Sequence, residues 1–185
     1  MELPLPNPVP EFVTRTGLEI VVEDVLWKLV RRLKHRCRII EDDDGSPYLL
    51  RCYLTPMVEQ RWWPGVFLHY FYRGDHDREV HNHPWDVSMS LILTGGYIEE
   101  RFDAETRGIV ERIIKPLMLN VIHGDDFHRV QMRKGGCFTL FIAGRKIQRW
   151  GFLRRDGTEF EDAEERYERI FREKGAVTKL PTVVD

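Results

Sequence analysis

Cysteine is scarce in this chain, with three among 185 residues, Cys37, Cys52 and Cys137. An odd number at such wide intervals does not read as a disulfide framework or a zinc knuckle, and it leads to the expectation of a reducing, cytoplasmic setting. Long apolar runs are missing too. No stretch approaches the roughly 18 apolar residues of a membrane span. Met1 to Glu11 is Pro-rich with an early acid, unlike the basic start and apolar run of a signal peptide. Neither a membrane partner nor a leader is expected. A surplus of one charge is also absent, since 28 Lys and Arg stand against 30 Asp and Glu, a formal net charge of -2. Broad attraction to nucleic acid or to an anionic lipid surface therefore has no support, and any partner must be read from a local site. Internal repeats and low-complexity segments are lacking as well. What is present is 42% hydrophobic, 31% charged and 11% aromatic, a globular composition at a length that suits one folded domain.

Four prolines, Pro4, Pro6, Pro8 and Pro10, mark residues 1–16 as an extended arm lying on the fold or on a neighbouring subunit, a hint of a homodimer. Thr16 with Glu19 three residues on has the form of a capping box. Leu18, Val22, Val25, Leu29 and Leu33 then recur at helical spacing, which predicts a helix over 17–35. Arg31, Arg32, Lys34 and His35 place positive charge at its C-terminal end, where the macrodipole favours it, as a solvated helix end or an anion contact. From there the texture changes to short apolar or alternating runs between turn residues, in the manner of an all-β sandwich or barrel. The acidic segment 41–47 is a turn between Arg38–Ile40 and Tyr48–Leu54, without the ligand pattern of a calcium loop. Further strands are predicted at 66–72, 87–93, 96–102, 109–114, 116–122, 127–132, 136–143 and 147–153. That number suits a jelly-roll or related double-sheet barrel. After Asp156-Gly157 helical spacing returns, with Ala163, Tyr167, Ile170, Phe171 and Lys174 on one face and Gly175 in the place of a C-cap. The expected architecture is an all-β core flanked by an N-terminal and a C-terminal helix.

Four of the seven histidines fall within fifteen residues: His69, His76, His81 and His83. On an extended backbone residues i and i+2 point to the same side, so the imidazoles of His81 and His83 can converge on one ion. Imidazole suits iron, zinc, copper and nickel. A third ligand must come from a neighbouring strand. His128 shares the parity of Val130 and Met132, which puts it on the apolar, inward side of its strand.

A His-x-His at the start of a β run, then a strand ending in Gly95-Gly96, then a later strand histidine, resembles the cupin superfamily. Its first motif runs Gly, His-x-His, Glu, Gly, and its second Gly, Pro-x-Gly, His, Asn. The matching positions are Gly74, His81, His83 and Gly95, then Gly124 and His128, so the resemblance covers about residues 65–153. It implies a cupin-like double-stranded β-helix, a jelly-roll barrel, within a single domain over 17–160, followed by a C-terminal helix and tail over 161–185. The longer pattern of His69, Asp75, Asp77 and Arg78 leading to His81-Asn82-His83-Pro84-Trp85-Asp86 is similar to that of a group of small bacterial and phage cupin-domain proteins. That group supplies a fold and no activity. The chain also departs from the motifs. Six residues separate Gly74 from His81 and three separate Gly124 from His128, one more than usual in each case. The proline ahead of Gly124 is replaced by His123, and the glutamate ligand, due at 87 or 88, is replaced by Val87 or Ser88. Asp86 is the nearest carboxylate, on the wrong parity unless Pro84-Trp85 bulges. His123 is the other substitute.

Three neutral histidines leave a divalent ion its full charge, which favours an anionic or chelating substrate. Within cupins such a set resembles that of thiol dioxygenases and some ring- or diketone-cleaving dioxygenases, which use iron(II). The expectation is thus a metal-dependent oxidoreductase of small molecules, with a non-redox isomerase, lyase or hydrolase using zinc, manganese or nickel, or a non-catalytic binding module, as alternatives. Around the metal, three residues are candidates for catalysis. His69 is inward with Phe67 and Phe71, as a substrate contact or a hydrogen-bonded core residue. Asp86 follows the ligand pair. Arg145, with Lys146 and Arg149, would hold an acidic group of the substrate or form a solvated rim. Trp85 either walls the pocket or packs in the core, and His76 reads as surface.

Overall fold

The computed structural model describes residues 16–42, 45–56, 64–75, 79–132 and 135–173. The Pro-rich arm before Thr16, the segment with His76, Asp77 and Arg78, and the expected C-cap at Gly175 lie outside the described residues. Helix α1 (Gly17–Arg32) begins at the anticipated capping box, where the Thr16 hydroxyl accepts from Glu19 N at 3.2 Å and the Glu19 carboxylate accepts from Thr16 N at 3.0 Å. The face it buries is not the stripe that the spacing picks out. Glu23 and Val30 are buried and Leu26 and Trp27 pack beside Val30, whereas Leu18 and Val25 are 71% and 57% exposed. Trp27 sets the rotation. Its ring meets Tyr70 and Phe138 edge-on at 4.8 and 5.2 Å, and aromatic contacts of that size outweigh the burial of Val25.

Six strands form the first sheet in the order β1-β2-β3-β10-β5-β8. They are β1 (Cys37–Glu41), β2 (Pro47–Tyr53), β3 (Gly65–Phe71), β5 (Val87–Thr94), β8 (Leu119–His123) and β10 (Cys137–Ala143). The second sheet runs β12-β11-β4-β9-β6-β7 and contains β4 (Val80–His81), β6 (Tyr97–Asp103), β7 (Gly108–Ile114), β9 (His128–Met132), β11 (Gly151–Leu153) and β12 (Phe160–Asp162). Helix α2 (Ala163–Glu173) follows. The core is therefore all-β in two antiparallel sheets with a helix at each end of the chain. The segment expected as a strand over 147–153 is extended only from Gly151, and β8 starts at Leu119, after a turn in which Leu117 takes φ 67. β4 and β12, of two and three residues, are too short to show alternation and were not anticipated.

The outer face of the first sheet, with Leu50, Cys52, Leu68, Tyr70 and Phe138, packs on Val30 of α1. Its inner face meets the second sheet, where Ile92 and Cys137 pack against Tyr97, Ile114 and Val130. The wide spacing of the cysteines in the sequence does not keep them apart in the fold. Cys37 and Cys52 stand opposite each other in the β1–β2 hairpin and are joined by a disulfide, while Cys137 is free and buried. Fifteen residues of separation vanish when a hairpin folds back at its midpoint. The argument for a reducing setting from unpaired cysteines falls with it.

Candidate metal centre

The short strand β4 pairs with β9 so that His81 lies directly opposite His128, and His83 follows two residues on. One nitrogen from each of the three rings lies within 4.8 Å of the others, and the Nε2 atoms of His83 and His128 are 2.8 Å apart. Among the described residues this is the one group of His, Cys, Asp and Glu side chains with such spacing.

The ribbon that delivers the first two histidines is tied down residue by residue. Asn82, pointing the other way, donates to Gly124 O at 3.1 Å and accepts from Gly151 N at 2.8 Å. Gln148 donates to His83 O at 3.0 Å and also to Gly124 O. A side chain at Gly124 would place its Cβ 2.5 Å from Trp85 O, so the close approach requires glycine. Upstream, Gly74 runs so near β9 that a Cβ would lie 2.7 Å from Val130 O. Asp75 then fastens the loop. Its N–H donates to Val130 O at 2.8 Å, its carboxylate accepts from Val130 N at 2.6 Å and from the Tyr48 hydroxyl, and its Oδ2 stands 3.8 Å from His81 Nδ1.

Behind His128 lies Glu99, fully buried, whose Oε1 is 3.0 Å from His128 Nδ1. An ionised carboxylate only accepts, so the His128 proton sits on Nδ1 and Nε2 presents its lone pair to the other two rings. Burial alone would raise the Glu99 carboxyl, but hydrogen bonds from His128 and Asn120 and the charge of Arg101 hold it at about 2. Asn120 donates to it at 2.8 Å and Arg101 at 3.1 Å. Burial lowers His81 to about 4 against the opposing pull of Asp75, and burial with the neighbouring histidines takes His83 well below its ordinary value. The rings of His81 and His83 are thus neutral, as nitrogen donors to a cation must be. Converging imidazoles, one of them oriented by a buried carboxylate, fit a divalent metal ion. The ring of Trp85 stacks on His83 at 5.6 Å between centroids and walls that side.

The other candidates are placed apart from this group. Asp86 is engaged with the backbone, accepting from Val87 N at 2.8 Å and Arg145 N at 2.9 Å, with no ligand role visible. Arg145 and Lys146 are exposed, and Arg149 is exposed beside Asp162 and Glu164 at 3.6 and 3.5 Å. They form a rim, since this segment leaves the sheet before β11 begins. His123 is exposed at the end of β8, its N–H donating to Asp126. His69 is inward, as parity indicates, and 3% exposed. A surface hollow of about 470 Å³ is lined by Glu165, Glu168, Arg169, Arg172 and Glu173 of α2, none of them a candidate ligand. Glu99 and Asn120 were missed by sequence reasoning. In Tyr97–Asp103 both parities mix apolar and charged residues, so no alternation marks Glu99 as buried.

No protein-family model matches the chain, and no curated protein matches it. Among solved structures it is similar to hydroxypropylphosphonic acid epoxidase from S. wedmorenis, with a TM-score of 0.44 and 11% identity over 59% of this chain and 56% of that one. A cupin-like protein from Thermotoga maritima has a TM-score of 0.44 and 14% identity, over 65% of this chain and 83% of that one. A conserved protein of Streptococcus pyogenes has a TM-score of 0.40 and 15% identity, over 58% and 82%. Cupin-like proteins are thus among its structural neighbours. The chain spans little more than half the length of the epoxidase, at 56%.

Proposed function

We propose that this chain is a metal-dependent enzyme of cupin type, a mononuclear non-haem iron(II) dioxygenase acting on a small anionic or chelating substrate, with His81, His83 and His128 as metal ligands. The carrying observation is the convergence of three imidazole nitrogens within 4.8 Å, with no carboxylate in the group. A divalent ion held there supplies Lewis acidity and, as iron(II), redox chemistry. The chain's own residues do the rest. Glu99 keeps the proton of His128 on Nδ1 and its lone pair directed inward. Asn82 and Gln148 fix the backbone on either side of His83, and Trp85 excludes water from one side of its ring. Uncharged donors leave the positive charge to be matched by the substrate, which selects for an anion or a chelator.

The reading is tested by purification without oxygen, determination of bound metal, and oxygen uptake against a panel of thiols, diketones and hydroxyaromatic acids. Iron-dependent uptake with at least one class, lost in a His81→Ala, His128→Ala double variant, is the expected result. Metal bound in full with no uptake across the panel would overturn the dioxygenase assignment and leave a non-redox metal enzyme or a binding module.

A further inference from the structure

Outside the three-histidine group, one row of residues crosses the inner face of the first sheet: Arg51 on β2, His69 on β3 and Thr139 on β10. The strand registers set Arg51 beside His69 and His69 beside Thr139. Arg51 Nε donates to His69 Nε2 at 3.0 Å. A guanidinium has only donors, so this bond takes the lone pair of Nε2 and leaves the neutral ring's proton on Nδ1. That Nδ1–H is buried and has no acceptor. The hydroxyl of Thr139, on a residue with no exposed surface, is likewise buried without a partner. Arg51 itself lies over the Phe67 ring at 5.3 Å, hydrogen-bonds the Tyr53 side chain and pairs with no carboxylate among the described residues. Burial pulls its guanidinium down from its ordinary value. A half-buried cation that meets no carboxylate among the described residues, an orphaned N–H and an orphaned hydroxyl are each costly, and here they stand in one row.

The row is also close to the candidate metal ligands. Phe67 and Phe141 stack on His69 at 5.7 and 5.0 Å between centroids, and Phe141 is 6.1 Å from the ring of His83. We infer that Arg51, His69 and Thr139 form the subsite for the acidic group of the ligand, a small carboxylate, with Arg51 supplying the charge and His69 Nδ1–H and the Thr139 hydroxyl the directed hydrogen bonds. Two directed donors and one cation match a planar, singly charged group. The assignment of this anion to a substrate rests on the metal-centre reading. The anion site itself rests on the row.

The test uses the full chain, metal-free, titrated separately with acetate and with inorganic phosphate. Nitrogen-15 NMR follows the His69 Nδ1–H, assigned by its loss in His69→Phe. A saturable shift with acetate is expected, with affinity reduced about tenfold or more in Arg51→Met and several-fold in the nearly isosteric Thr139→Val. Replacing the Arg51 cation by an apolar side chain leaves no unpaired charge, and folding of each variant is checked by circular dichroism. A signal that neither anion moves, or an equal response in folded Arg51→Met, would overturn the subsite. Preference for phosphate over acetate would overturn the carboxylate assignment. Cobalt(II) is added to the same samples and its visible absorption recorded. Acetate binding without cobalt binding would sink the metal-centre reading alone, and cobalt binding without acetate binding would sink the subsite alone.

Discussion

Glu99 shows how one side chain can settle the chemistry of its neighbour. Its oxygen lies 3.0 Å from His128 Nδ1, which fixes the proton there, and Asn120, Arg101 and Arg112 crowd round to keep it ionised. Carboxylates in this position orient metal-binding imidazoles and raise their basicity. In a Glu99→Gln variant the affinity for a divalent ion should fall by about 10- to 100-fold, measured by competition with a chelator. Unchanged affinity would mean that packing alone orients His128. Of the residues at the site, the three histidines were legible because spacing and parity act through the backbone, which a strand repeats every two residues. Glu99 was not, since its burial is decided by Asn120 on the opposite sheet, a contact that no local pattern encodes. Asp86 illustrates the converse. Its acidity and position after the ligands suggested chemistry, but its carboxylate is spent on the N–H groups of Val87 and Arg145.

At the scale of elements, a two-residue strand carries the site. β4 holds its register through Asn82, whose amide joins the Gly124 turn to β11. Removing that amide in Asn82→Ala leaves Gly151 N–H unpaired, while Gly124 O keeps its bond from Gln148, and should cost about 1–3 kcal/mol in urea unfolding, with weaker metal binding. A smaller loss would show that water replaces it. The β1–β2 hairpin was legible as an acidic turn between two runs, and its pairing of Ile39 with Leu50 already implies Cys37 opposite Cys52. The disulfide could have been read from that register. The face of α1 could not. Apolar spacing favoured Leu18 and Val25, but Trp27 turned the helix by packing on Tyr70 and Phe138. Trp27→Ala should therefore destabilise by about 3–5 kcal/mol, and Val25→Ala by no more than about 0.5 kcal/mol. Denaturant titration of the pair distinguishes this face from the one that spacing suggests.

For the whole molecule, the near-balance of charge conceals concentrated local fields. Arg155 grips Glu100 with two bonds of 2.6 and 2.9 Å and Arg129 adds a third at 3.0 Å, which together hold its carboxyl at about 2 rather than its ordinary 4.5. A carboxyl lowered in the folded state stabilises the fold above its unfolded value. That contribution should be complete above pH of about 4.5 and disappear as pH falls towards about 2, steepening acid unfolding. Glu100→Gln should flatten that part of the stability profile, and an unaltered profile would contradict the assignment. No helix among the described residues is long and apolar enough to cross a membrane. The second sheet brings together β4 and β9, distant in sequence, and with them the three histidines proposed to hold a metal ion. The most direct measurement is an anaerobic titration of the metal-stripped chain with iron(II), alongside the His81→Ala, His128→Ala variant. The account predicts saturation at about one ion per chain, in line with a single three-histidine site, and none in the variant. No saturable binding, or equal binding by the variant, would contradict it.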